Sequence, residues 1–150
     1  MITPRDTPTV AIVAEQGPGP VEDQHYKRLM LVLNQALVDS VQASTTVKST
    51  AFEASRVLKS SAGNLHYLAV FNSKASAQFI LIMDAASLPG DGPVSLLYPP
   101  IPIAAGTLLH LDLPKPLAAS TGIVVCNSST GTFSKTIGSA DCAFFAQVSS

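Results

Sequence analysis

Hydrophobic positions fall into two periods along this chain, and the change from one to the other divides it. Across residues 22–43 the apolar side chains of Tyr26, Leu29, Met30, Leu33, Leu37 and Val41 recur at spacings of three and four and form one stripe. Lys27, Arg28, Asn34, Gln35 and Asp39 lie opposite. Glu22 and Asp23 stand where the positive end of a helix dipole would favour carboxylates, and Pro20 comes just before, where it interrupts no hydrogen-bond ladder. The spacing predicts one amphipathic helix over 22–43. Its stripe needs a cover, either the domain that follows or identical helices from other copies, and fewer than three heptads are present to choose between them.

After Ser44 the pattern becomes that of strands, with candidates near 52–59, 64–72, 78–84, 94–98, 107–113, 121–127 and 142–148. Turn-forming clusters separate them: Ala62-Gly63-Asn64, Asn72-Ser73-Lys74, Pro89-Gly90-Asp91-Gly92-Pro93, Pro99-Pro100, Pro114-Lys115-Pro116 and Asn127-Ser128-Ser129-Thr130-Gly131. Leu109, Leu111 and Leu113 alternate with Leu108, His110 and Asp112, which marks a strand with one face in a core. Phe79-Ile80-Leu81-Ile82-Met83 is apolar on both faces and predicts a central strand whose second side is covered by the helix, a loop or another subunit. About seven short strands in succession predict a mainly β fold: a single antiparallel β-sandwich over 44–150, jelly-roll or Greek-key, with no internal repeat.

Residues 1–21 carry Pro4, Pro8, Gly17, Pro18, Gly19 and Pro20, and only Val10-Ala11-Ile12-Val13-Ala14 could pair as a strand. An extended N-terminal arm is expected, ordered against a partner or the body of the domain. The expected interface residues are therefore Val10 and Ile12 in the arm and Leu29, Leu33 and Leu37 in the helix.

Charge sharpens this picture. The net charge is −1 with nine Lys and Arg, and no stretch interleaves basic residues with aromatics, so no direct nucleic-acid partner is expected. Residues 61–150 hold only seven charges, Lys74, Asp84, Asp91, Asp112, Lys115, Lys135 and Asp141, against seventeen Ser and Thr. Hydroxyls can bond to a neighbouring subunit without the desolvation penalty of an unpaired ion, so this composition favours copies packed side by side, as a dimer or trimer. The apolar run at 79–83 is far shorter than the roughly 20 residues that cross a bilayer, and no membrane partner is expected. Residues 1–9 lack the apolar segment of a secretory signal, which predicts synthesis in a cytosol.

Candidate chemistry is thin. His25, His66 and His110 share no spacing that would place two imidazoles on one face, and although His66, His110, Asp84 and Asp112 could converge, no metal or other cofactor is expected. Cys126 and Cys142 lie sixteen apart in strand-like surroundings, which reads as two small buried side chains, with a bridge between neighbouring strands the alternative. No GxSxG elbow is present, Gly17-Pro18-Gly19 lacks N–H donors for a phosphate, and Glu15, Glu22 and Glu53 all lie early in the chain. Without Trp, and with only Tyr26, Tyr67 and Tyr98, a sugar platform is weakly supported. No catalytic residue is assigned and a non-enzymatic role is expected.

The stretch from Asn72 to Thr130 has a cadence of its own: Asn72, 79–85, Pro89, Asp91-Gly92, Ile103, Ala105-Gly106-Thr107, Leu111-Asp112, Thr121-Gly122-Ile123-Val124-Val125 and Ser128-Ser129-Thr130. It resembles the small β-sandwich virion structural proteins of tailed bacteriophages, which serve as capsid decoration or cement proteins and as neck, tail or fibre modules. The resemblance covers roughly half the chain, rests on turn and core residues, and does not extend to residues 1–43. It implies a virion protein made in the host cytoplasm, partnered by other virion proteins such as a major capsid protein. A neck, tail or fibre adaptor, or a glycan-binding module presenting the loops at 89–93 and 128–131, is the alternative.

Overall fold

The computed structural model describes residues 20–42 and 44–150, with side chains for 23–35 and 44–150. Val10 and Ile12, with nearly all of the expected arm, lie outside the described residues. Helix α1 spans Pro20–Gln42, so Pro20 and Val21 belong to the helix and not to the arm. Pro20 fits there because a helix's first N–H groups have no internal acceptor and the ring fixes φ at a helical value. Asp23 and Lys27 pair one turn apart at 2.9 Å. Helix α1 and residues 44–150 belong to separate units.

The second unit is all strand: β1 (Ser44–Lys48), β2 (Ser55–Lys59), β3 (Gly63–Asn72), β4 (Gln78–Asp84), β5 (Gly92–Pro93), β6 (Leu96–Ile103), β7 (Leu108–Ala119), β8 (Ile123–Ser128), β9 (Ser134–Lys135) and β10 (Cys142–Ser149). Two four-stranded sheets, β1-β10-β3-β7 and β2-β8-β4-β6, carry the domain. Strands β1 and β10, β2 and β8, β3 and β7, and β4 and β6 pair antiparallel, like one long folded ribbon. Wrapping that ribbon adds the β10–β3 and β8–β4 pairs. This is the jelly-roll form of the expected antiparallel sandwich.

Alternation along the strands fills the space between the sheets. Leu68 and Val70 of β3, Ile80 and Ile82 of β4, Ile123 and Val125 of β8, and Phe144, Ala146 and Val148 of β10 are buried there. Leu109, Leu111 and Leu113 of β7 pack against them, on the face their alternation predicted. Burying each large side chain contributes about 1.5–3 kcal/mol, which makes this layer the main source of stability.

Two departures from the sequence reading have local causes. Strand β1 was not foreseen because only Val47 among its five residues packs on the core. The clusters expected as turns at Pro99-Pro100 and Pro114-Lys115-Pro116 lie inside β6 and β7. Both are edge strands, where a residue without an N–H breaks no ladder on its outer side. Both sites are also bulges: Pro99 and Pro100 stand opposite Leu81 alone, and residues 113–116 stand opposite His66 alone.

For β4, whose second face was expected to be covered by the helix, a loop or another subunit, the structure supplies the loop. Leu81 and Met83, with Val124 and Cys126 of β8, form a second buried cluster beneath Ala85, Val94, Leu96 and Ile137. Strands β5 and β9 pair to hold that cover in place. The turn at Gly122 closes tightly enough that a Cβ there would stand 2.5 Å from the Ala85 carbonyl oxygen and 2.8 Å from that of Lys59.

Candidate interaction surface

Most of the polar residues weighed for chemistry are tied into the fold by hydrogen bonds. Asp84 accepts hydrogen bonds from the Ser120 hydroxyl at 2.8 Å and from the Thr121, Ser120 and Gly122 amides. The Ser120 hydroxyl, then these amides, hold its pKa down at about 2. His66 Nε2 shares a hydrogen bond of 2.8 Å with Ser149 Oγ, so it is tied to the end of β10. Asp84, His66 and the pair His110 and Asp112 thus occupy separate places, and among the described residues no three His, Cys, Asp or Glu side chains gather as metal ligands would.

Both cysteines are buried and free. Cys126 belongs to the loop-covered cluster and Cys142 to the layer between the sheets, so they serve different cores. Burial pushes the Cys126 thiol up to about 12 and raises Cys142 as well, the reverse of what a nucleophile needs. Cys142 Sγ accepts hydrogen bonds from Gln78 Nε2 at 3.3 Å and Asn127 Nδ2 at 3.6 Å. Gln78 Nε2 also donates to Asn72 Oδ1 at 2.8 Å. These amides pin the loops at one end of the sandwich: Asn72 donates to the Ser76 and Ala104 carbonyls, and Asn127 to that of Ser139.

What the strands leave unused is the outer face of the first sheet. Register sets three rows across it: Thr46, Gln147, Tyr67 and Asp112; then Lys48, Phe145, Ala69 and His110; then Ala143, Phe71 and Leu108. Phe52 stacks beside Phe71 at 6.3 Å between ring centres, and Phe145 meets Tyr67 edge-on at 6.1 Å. The Tyr67 hydroxyl shares a hydrogen bond of 2.7 Å with His110 Nδ1. Three of the six phenylalanines therefore lie on this face. Phe52 is 52% exposed, Leu108 54%, Phe145 38% and Phe71 37%. A contiguous aromatic sheet face left open to water is the usual mark of an association surface.

Sequence reasoning missed this face. Its signal was present in Tyr67-Leu68-Ala69-Val70-Phe71 and Ala143-Phe144-Phe145-Ala146, where apolar residues sit on both faces of a strand as they do at 79–83. The residues it did choose are placed as follows. Leu29 and Leu33 are half exposed on α1, beside Tyr26 and Met30, while Leu37 lies in α1 with its side chain outside those described. The loops at 89–93 and 128–131 belong to the cover of the second sheet, with Phe133 strongly exposed beside them. Among the described residues no helix is long and apolar enough to cross a membrane.

No family model and no curated protein matches the chain. Among solved structures, the coat protein of Tobacco streak virus is similar over 72% of this chain and 87% of that one, at 11% identity and a TM-score of 0.33. A likeness at that score does not extend to function.

Proposed function

We propose that this chain is a non-enzymatic structural protein of a virion, acting as a capsid decoration or cement protein that binds a lattice of major capsid protein and reinforces it. The observation that carries this reading is the exposed aromatic face of the first sheet. A lone sandwich gains nothing from Phe52, Phe71, Phe145 and Leu108 in water, whereas an assembly recovers their burial. The charge-poor, hydroxyl-rich segment 61–150 supports it, since such a surface meets a neighbour at little desolvation cost. The cadence that resembles tailed-phage virion proteins supports that setting. The arm and the α1 stripe, with Val10, Ile12, Leu29, Leu33 and Leu37, supply contacts to the shell.

Co-sedimentation of the tagged chain with particles, followed by copy counting, tests this. Hundreds of copies per particle support a capsid role; roughly six to a few dozen move it to neck, tail or fibre, whose symmetry admits fewer copies. No association with any particle sinks the reading. A glycan-binding module is the second reading, favoured by Phe133, 68% exposed on the loop that follows β8. Glycan-array binding that disappears in Phe133→Ala would favour it.

A further inference from the structure

We propose that the outer face of the first sheet is a self-complementary contact, packing against the same face of a second copy about a two-fold axis that runs along the strands. This rests on the reading of the chain as a multi-copy structural protein and names the surface and symmetry that join two copies.

The face has the anatomy of a specific interface, with an aromatic centre and a charged rim. Phe145 and Tyr67 on the two central strands, β10 and β3, form the middle. Lys48 stands on the β1 edge and Asp112 on the β7 edge, and neither has an ion partner among the described residues. The second sheet shows the contrast, because Leu81, Met83, Val124 and Cys126 on the outer side of its central strands are covered within the chain.

Charge placement selects the occupant and the axis. Two sheets face each other only if the two-fold axis lies in the plane between them. An axis across the strands sets β1 on β1 and β7 on β7, bringing Lys48 towards Lys48 and Asp112 towards Asp112. An axis along the strands exchanges the edges, so β1 lies over β7 and β10 over β3. Lys48 then faces the level of His110 in the second copy, and Asp112 of that copy is two residues further along, roughly 7 Å. A lysine side chain spans that offset. Symmetry makes the Lys48–Asp112 contact twice, on opposite margins of the aromatic centre.

Light scattering and sedimentation of the full chain in the micromolar range provide the test, with Lys48→Glu, Asp112→Lys and the double variant. Both residues are exposed, so melting points should stay near wild type. A wild-type dimer is expected; each single reversal should raise its dissociation constant about ten-fold or more through like-charge contact, and the double variant should recover most of that loss. Phe145→Ser should leave a monomer. A wild-type monomer, a dimer indifferent to both reversals, or a double variant no better than the singles overturns the proposal. So does an oligomer that Leu33→Asp disperses and the reversals do not, because the helix would then be the joint. Particle co-sedimentation run in parallel separates the two ideas: binding by a monomer overturns the pairing and keeps the virion role, while a dimer that binds no particle does the opposite.

Discussion

Lys135 sets its ammonium against Asp91 Oδ1, with the lysine side chain 2% exposed and the aspartate side chain 49% exposed. The pair joins β9 to the loop before β5, and Asp91 also accepts the Ile137 amide at 3.0 Å. The lysine side chain is buried, so the aspartate is what makes its ammonium tolerable there.

Removing one partner of such a pair harms stability more than removing the charge altogether. Asp91→Ala is therefore expected to lower the melting temperature more than Lys135→Met, which leaves an apolar chain in the same space. Thermal denaturation of the two variants measures the order; the reverse order would mean that the ammonium is satisfied elsewhere.

Acid sensitivity should trace to Asp84. Its pKa is lowered from 3.8 to about 2, first by the Ser120 hydroxyl and then by backbone amides. A carboxylate depressed in the folded state contributes stability that is fully present above its unfolded pKa and is lost as pH falls through the folded one. The stability of the wild type should thus decline between about pH 4 and pH 2, and Asp84→Asn should be less stable at neutral pH with a shallower decline in that window. Denaturant titrations at several pH values compare the slopes.

Strand β4 supports a third expectation. Ile80 faces the layer between the sheets and Leu81 the loop-covered cluster, and both are fully buried. Ile80→Ala and Leu81→Ala should each cost about 2–5 kcal/mol in chemical denaturation, without changing the oligomeric state. Dissociation of an oligomer by Leu81→Ala alone would show that another subunit, and not the β5–β9 loops, covers that side.

The α1 stripe gives the fourth. Leu33 is 50% exposed, so a charge at that position displaces little packing within the chain. Leu33→Asp should leave the melting of the β-sandwich unchanged and weaken incorporation into particles. Equal incorporation of the variant removes the stripe from the proposed shell contact.

The period-two alternation of Leu109, Leu111 and Leu113 and the apolar run at 79–83 were enough to announce a sandwich, because inward residues of long strands must be apolar whatever their partners. Strand β1 was hidden because an edge strand with one apolar residue on its inner side, Val47, carries almost no hydrophobic signal. Prolines concealed the far halves of β6 and β7, since a residue that breaks central strands is tolerated at an edge and the sequence does not say which strand is an edge. The aromatic face was hard to read for a further reason. Phe71 and Phe145 each neighbour a buried Val70 or Phe144, and a list of apolar residues does not separate the two faces until register is known.

Those same prolines decide how the domain can multiply. Pro99, Pro100 and Pro102 strip N–H donors from β6 at one margin of the second sheet, and Pro114 and Pro116 do so on β7 at one margin of the first. A strand from another molecule that tried to continue either sheet there would find gaps in the ladder it needs. Growth by endless strand addition, the route to fibres, is thus discouraged at those margins, while the outer face of the first sheet stays free to meet a neighbour. At those two margins the domain is suited to contacts that close on themselves and not to ladders that run on.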